Sequence, residues 1–99
     1  MTTKITLIID NPANADEFEK AYAEVLAAAK TFPKVQRVES AKVWPKEDGT
    51  PTPAYRTLDL YFASYEDASA AVATPAAGAV FGALQGAQVT FTGLFSDIE

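Results

Sequence analysis

The chain contains no cysteine and no histidine in its 99 residues. The first absence excludes a disulfide scaffold, a thiolate nucleophile and a cysteine-ligated iron–sulfur cluster. The second removes a His-based triad, His-ligated haem and most zinc sites. Basic residues are also scarce. Eight Lys and Arg stand against 13 Asp and Glu, a net charge of −5, so no nucleic acid and no anionic membrane is expected as a partner. From Ala68 to Ser96 there is no charged residue at all. That stretch nevertheless holds Thr74-Pro75, four glycines, Gln85 and Gln88, and its many Ala and Gly insert weakly into lipid, so no membrane span is expected. Met1-Thr2-Thr3-Lys4 leads into a strand pattern, not a secretory leader, and the expected location is cytoplasmic. No phosphate loop is present, because Gly78-x-x-x-Gly82 neither follows a strand nor carries a lysine. The carboxylates show no calcium-loop spacing. No metal and no cofactor are expected.

What is there fits a single domain over residues 1–99, with 48% of the residues hydrophobic. Lys4 to Asp10 alternates with period two, Ile5, Leu7 and Ile9 on one face, and Pro12 ends it. Asn14 predicts an N-cap with Glu17 as its capping-box partner. Asp16, Glu17 and Glu19 suit the positive end of the helix dipole. Phe18, Tyr22, Val25, Leu26 and Ala29 then form a helical stripe, ending near Thr31 ahead of Pro33. Val35 to Trp44 predicts a second strand, with mixed polarity on both faces as an edge strand has. Pro45 to Pro53 is a polar loop. Tyr55 to Ala63 predicts the third strand, Leu58, Leu60 and Phe62 on one face and Tyr55, Thr57, Asp59 and Tyr61 on the other. Ser64 caps a helix over Tyr65–Ala73, and Pro75 opens another to Leu84. Gly86 is a candidate helix C-cap. Val89, Phe91, Gly93 and Phe95 alternate in the last strand.

The order β-α-β-β-α-β is the ferredoxin-like motif of the α+β class, a four-stranded antiparallel sheet with its helices on one face. The other face must then be dealt with. Ile8, Tyr55, Tyr61 and Leu94 make it partly apolar, which points to a homodimer with two sheets packed face to face.

Three segments carry a family likeness: Tyr22-Ala-Glu-Val-Leu26 running to Phe32-Pro33-Lys34-Val35, Tyr55-Arg-Thr-Leu-Asp59-Leu-Tyr61-Phe62-Ala-Ser64, and Ala73-Thr-Pro75 before an alanine-rich helix. In these the chain resembles the EthD family, from about Lys4 to Phe95. The resemblance implies a dimeric α+β barrel of the ferredoxin-like class, linked to bacterial degradation pathways such as those of ether compounds. It also implies kinship with cofactor-free isomerases, cyclases and monooxygenases acting on small hydrophobic or aromatic molecules. One departure stands out. The family's usual helix-1 pattern, Tyr-x-x-x-His-x-Pro-Leu, places Leu26 at the histidine and Ala28 at the proline.

Asp59 and Tyr61 are the candidate catalytic residues. Aspartate is disfavoured mid-strand between two leucines, and a half-buried carboxylate suits general acid/base work. Tyr61, two residues on, shares its face, where its hydroxyl can orient a carbonyl or phenol. The plainer reading pairs Asp59 with Lys4, Arg37, Lys42 or a threonine across the sheet. Tyr22, Leu26, Trp44 and Phe81 are candidate ligand-lining residues of a pocket between helices and sheet. Against that, Tyr22 and Phe81 read most simply as core, and Trp44 as an interface residue. Gly78, Gly82 and Gly86 recur every four residues and predict close backbone packing. Two functions compete. One is a pathway protein that binds or transforms a small hydrophobic or aromatic molecule. The other is a non-catalytic dimeric module that has lost the histidine.

Overall fold

A computed structural model describes residues 2–99. Four strands and three helices follow in the order β1 (Thr3–Ile9), α1 (Ala15–Ala29), β2 (Arg37–Lys42), β3 (Arg56–Phe62), α2 (Tyr65–Ala71), α3 (Pro75–Gly86) and β4 (Phe91–Asp97). The sheet is antiparallel with spatial order β2-β3-β1-β4. The ferredoxin-like topology expected from the element order is therefore the one found, with β2 at an edge.

Register explains the layering. Ile5 faces Leu60 and Phe95 across the ladders, and Leu7 faces Leu58 and Gly93. Opposed residues share a sheet face, so these lie under the helices. There Ile5, Leu7, Leu58 and Leu60 join Phe18, Tyr22, Val25 and Ala29 of α1 and Ala77, Val80 and Leu84 of α3 in one core, while Phe95 stays exposed. Phe62 is fully buried in it, and Phe62→Ala should cost about 3–5 kcal/mol in lost transfer energy and cavity. On the opposite face run Lys4, Thr6 and Ile8 of β1, Thr57, Asp59 and Tyr61 of β3, Arg37 and Glu39 of β2, and Leu94 of β4.

The caps follow the sequence, with two corrections. Asn14 Oδ1 accepts from the Glu17 amide at 3.0 Å, and Ser64 Oγ accepts from the Asp67 amide at 3.2 Å. Thr74 stands at the N-cap of α3, but its hydroxyl donates backwards to the Ala71 carbonyl at 2.6 Å. Pro75 thus starts α3 alone, bent 63° from α2. The first correction concerns Gly86, which is still helical. The C-cap is Ala87, and the left-handed residue beyond it is Gln88, at φ 57°. The Gln88 amide bonds the Gln85 carbonyl at 2.9 Å and the Val89 amide bonds the Leu84 carbonyl at 3.4 Å. That is a Schellman closure built on a glutamine. The second correction concerns the glycine stripe. A Cβ on Gly78, Gly82 or Gly86 would meet nothing within 4 Å. These glycines face open space and mediate no close approach. Among the described residues, no single helix is long and apolar enough to cross a membrane.

Candidate ligand-binding site

The six candidate residues lie in three different places. Asp59 and Tyr61 are on the sheet face away from the helices. Tyr22, Leu26 and Phe81 are in or against the core. Trp44 stands two residues beyond the end of β2, 86% exposed.

On the open sheet face, the polar groups satisfy one another. Asp59 Oδ1 accepts from the Thr6 hydroxyl at 2.5 Å, and Lys4 Nζ lies 3.8 Å away. Tyr61 donates to Glu39 Oε1 at 2.6 Å. Arg37 pairs with the same Glu39 and stacks its guanidinium 5.0 Å above the Tyr61 ring. The hydrogen bonds from Tyr61 and then Arg37 hold the Glu39 carboxyl below its ordinary range, and the bond to Glu39 raises the Tyr61 hydroxyl. Tyr55 departs from the expected alternation. Its ring turns to the helix side and meets Phe18 edge-on, with centroids 5.4 Å apart. The open face thus keeps Ile8, Tyr61 and Leu94 but not Tyr55.

Under the helices the expected pocket is filled. Tyr22 is 3% exposed, stacked on Phe18, with its hydroxyl 2.7 Å from Ser40 Oγ. Burial pushes its hydroxyl above the usual tyrosine range. Leu26 packs partly buried against the core, and Phe81 stacks flat on Phe91 at 5.6 Å. Beside Tyr22 lies a group that sequence reasoning assigned differently. Glu19, read there as a helix-dipole partner, reaches past the first turn to Arg56 of β3. The Arg56 guanidinium also sits 4.5 Å above the Tyr22 ring.

The open volume is elsewhere. A cavity of about 720 Å³ lies where β2 runs into the 43–55 loop, walled by Val43, Trp44, Pro45, Pro51, Ala54 and Tyr55. Asn11, Lys42, Thr50 and Thr52 supply its polar groups. The loop is held in shape by its own hydrogen bonds. Asn11 Nδ2 donates to the Thr52 carbonyl at 2.7 Å, tying it to the end of β1. Asp48 accepts from the Thr50 amide at 3.0 Å and hydroxyl at 2.7 Å, and these bonds keep its carboxyl below its ordinary range. Of the sequence candidates only Trp44 lines this cavity. Lys42, Asn11 and Tyr55 were missed as lining residues. The one local signal for them was their position flanking proline-rich turns. Among the described residues, no three or more His, Cys, Asp or Glu side chains cluster as metal ligands do.

This frame places the chain among ferredoxin-like α+β proteins. An EthD family protein from Bacillus halodurans superposes with a TM-score of 0.88 at 14% identity, over 100% of both chains. A dimeric ferredoxin-like protein of unknown function from Thermobifida fusca gives 0.77 at 9% identity, over 99% of this chain and 92% of its own. SnoaB, a cofactor-independent oxygenase from Streptomyces nogalater, gives 0.68 at 12% identity, over 98% and 92%. No family model and no curated protein matches the chain. The fold is EthD-like, as the resemblance in sequence implied. At these identities the likeness is one of fold.

Proposed function

We propose that the protein is an EthD-like homodimer that binds a small hydrophobic or aromatic molecule in the cavity beside Trp44. The observation that carries this reading is the cavity itself. At about 720 Å³ it falls in the size range of small-molecule sites, and its walls are mostly apolar with a few polar groups. Kinship in fold with an EthD family protein and with a cofactor-independent oxygenase supports a small apolar ligand. Dimerisation is supported by neighbours described as dimeric and by the open sheet face, where Leu94 is 46% exposed on the same face as Ile8. The binding reading is preferred to catalysis by Asp59 and Tyr61. Both are engaged within their own sheet face, by Thr6 and Lys4 and by Glu39 respectively.

The test is native mass spectrometry of gently purified protein, followed by tryptophan emission. Trp44 is the chain's one tryptophan, so its emission reports on this cavity. A dimer that retains a small molecule, and loses Trp44 quenching when the molecule is removed, is the expected result. An empty dimer whose Trp44 emission responds to no aromatic compound leaves the non-catalytic module as the better description.

A further inference from the structure

We propose that the ligand of this cavity is an anion: an apolar or aromatic body bearing a carboxylate, phenolate or enolate oxygen. This rests on the reading of the cavity as a ligand site and adds the charge class of what it takes.

The protein carries −5 overall, yet the cavity lining contains one charged side chain, and it is cationic. Lys42 extends from the end of β2 with its Nζ 5.4 Å from the centre of the Tyr55 ring. The nearby acid does not cancel it. Glu19 is held by Arg56 through two parallel hydrogen bonds, Nε to Oε2 at 3.0 Å and Nη2 to Oε1 at 2.6 Å. Glu19, Arg56 and Lys42 together leave one positive charge. The loop also carries Lys46, Glu47 and Asp48, none of which lines the cavity, and Asp48 is bonded to Thr50.

The lining's other polar groups are largely committed. Asn11 gives its amide N–H to the Thr52 carbonyl. The Thr52 hydroxyl donates to the Ala54 carbonyl at 2.5 Å, and the Thr50 hydroxyl donates to Asp48. The Lys42 ammonium, the Tyr55 hydroxyl and the Trp44 indole N–H remain as donors, two of them on aromatic walls. A donor set beside flat apolar surface recognises an oxyanion on a planar body. A neutral hydrocarbon of the same shape would bury its area but gain nothing from the exposed, hydrated Lys42 ammonium.

Matched probes test this. Trp44 emission is titrated with 2-naphthoate and with 2-naphthylmethanol, which differ in the charged group. Naphthoate should bind about tenfold more tightly, the worth of one charge-assisted hydrogen bond at a partly exposed site. Lys42→Gln should bring the two probes to within about twofold, and Lys42→Arg should keep the preference for the anion. Raised salt should weaken naphthoate binding and spare the alcohol. If both probes bind wild type equally, and Lys42→Gln leaves their ratio unmoved, the cavity is a ligand site but the anion inference is wrong. If neither probe changes Trp44 emission, the ligand-site reading falls and the inference with it. The comparison is a ratio within each variant, so a general loss of affinity does not imitate the effect.

Discussion

Glu19 and Arg56, 37 residues apart in sequence, meet as a two-pronged ion pair that joins the first turns of α1 to the start of β3. The pair is half-buried, and Arg56 at the same time covers the ring of Tyr22. It fastens the helix layer to the sheet beside the cavity. A planar fork suits this geometry, and a lysine cannot reproduce it.

Arg56→Lys should therefore destabilise the protein by about 1 kcal/mol, and Arg56→Met by about 2 kcal/mol, because the latter leaves Glu19 unpaired. Urea unfolding at neutral pH measures both. Equal, negligible effects would mean that the pair is solvated and without weight.

The same pair has a pH signature. Hydrogen bonding by Arg56 lowers the Glu19 carboxyl from its ordinary value of 4.5. A depressed carboxylate adds stability that is fully present above its unfolded pKa and is lost as pH falls through the folded one. The stability gap between wild type and Glu19→Gln should be constant at neutral pH and close below about pH 4.5. Denaturant midpoints across that range give the answer.

At the alkaline end the sign reverses in its consequence. Tyr22 is raised by burial and Tyr61 by its bond to Glu39, both from 10.0. Their protonated forms are favoured by folding, so that contribution is intact below about pH 10 and is lost as pH rises through the folded values. An ultraviolet titration should show Tyr22 and Tyr61 ionising late. Tyr22→Phe and Tyr61→Phe should each remove one late step.

Helix α3 carries removable flaws. Gly78 and Gly82 face open space, and alanine there should add about 0.5–1 kcal/mol each by restricting the unfolded chain. Gln88 sits in the left-handed region at φ 57°, where a β-carbon costs about 1–2 kcal/mol. Gln88→Gly should return about 0.5–1 kcal/mol after its own entropy cost. Thermal melts of the three variants suffice. A fall in melting temperature for Gly78→Ala or Gly82→Ala would reveal a contact that the isolated chain does not show.

For the assembly, Leu94 offers a direct probe. It is exposed on the open sheet face, so Leu94→Arg should turn a dimer into a monomer in light scattering at micromolar concentration, with helix content unchanged. A wild-type monomer would refute the dimer outright.

Most of the frame was legible in the sequence because it is written locally. Asn14 with Glu17, Ser64 with Asp67 and the alternation of Ile5, Leu7 and Ile9 each fix an element within a few residues. The mixed faces of β2 announced an edge strand. What was not legible depends on partners far along the chain. Tyr55 breaks alternation because its amide bonds the Ile9 carbonyl and its ring finds Phe18. Glu19 looks like any acid near a helix start until Arg56 arrives. Helical spacing points to a pocket between helix and sheet, where Tyr22, Leu26 and Phe81 instead pack. It is made by a loop whose shape rests on Asn11 and Asp48 hydrogen bonds. No periodicity encodes those.

β1 lies between β3 and β4, and Thr3 at its start hydrogen-bonds Asp97 at the far end of the chain, 2.7 Å away. The first strand in sequence can therefore complete its pairing only after the last one is in place. Such distant closure makes for slow folding, on the order of milliseconds to seconds. Until β4 arrives, the side of β1 that will receive it is a raw edge, open to a strand from another molecule. The critical hazard in making this protein is thus one of timing: a nascent or truncated chain lacking residues 91–97 would be the form that clumps.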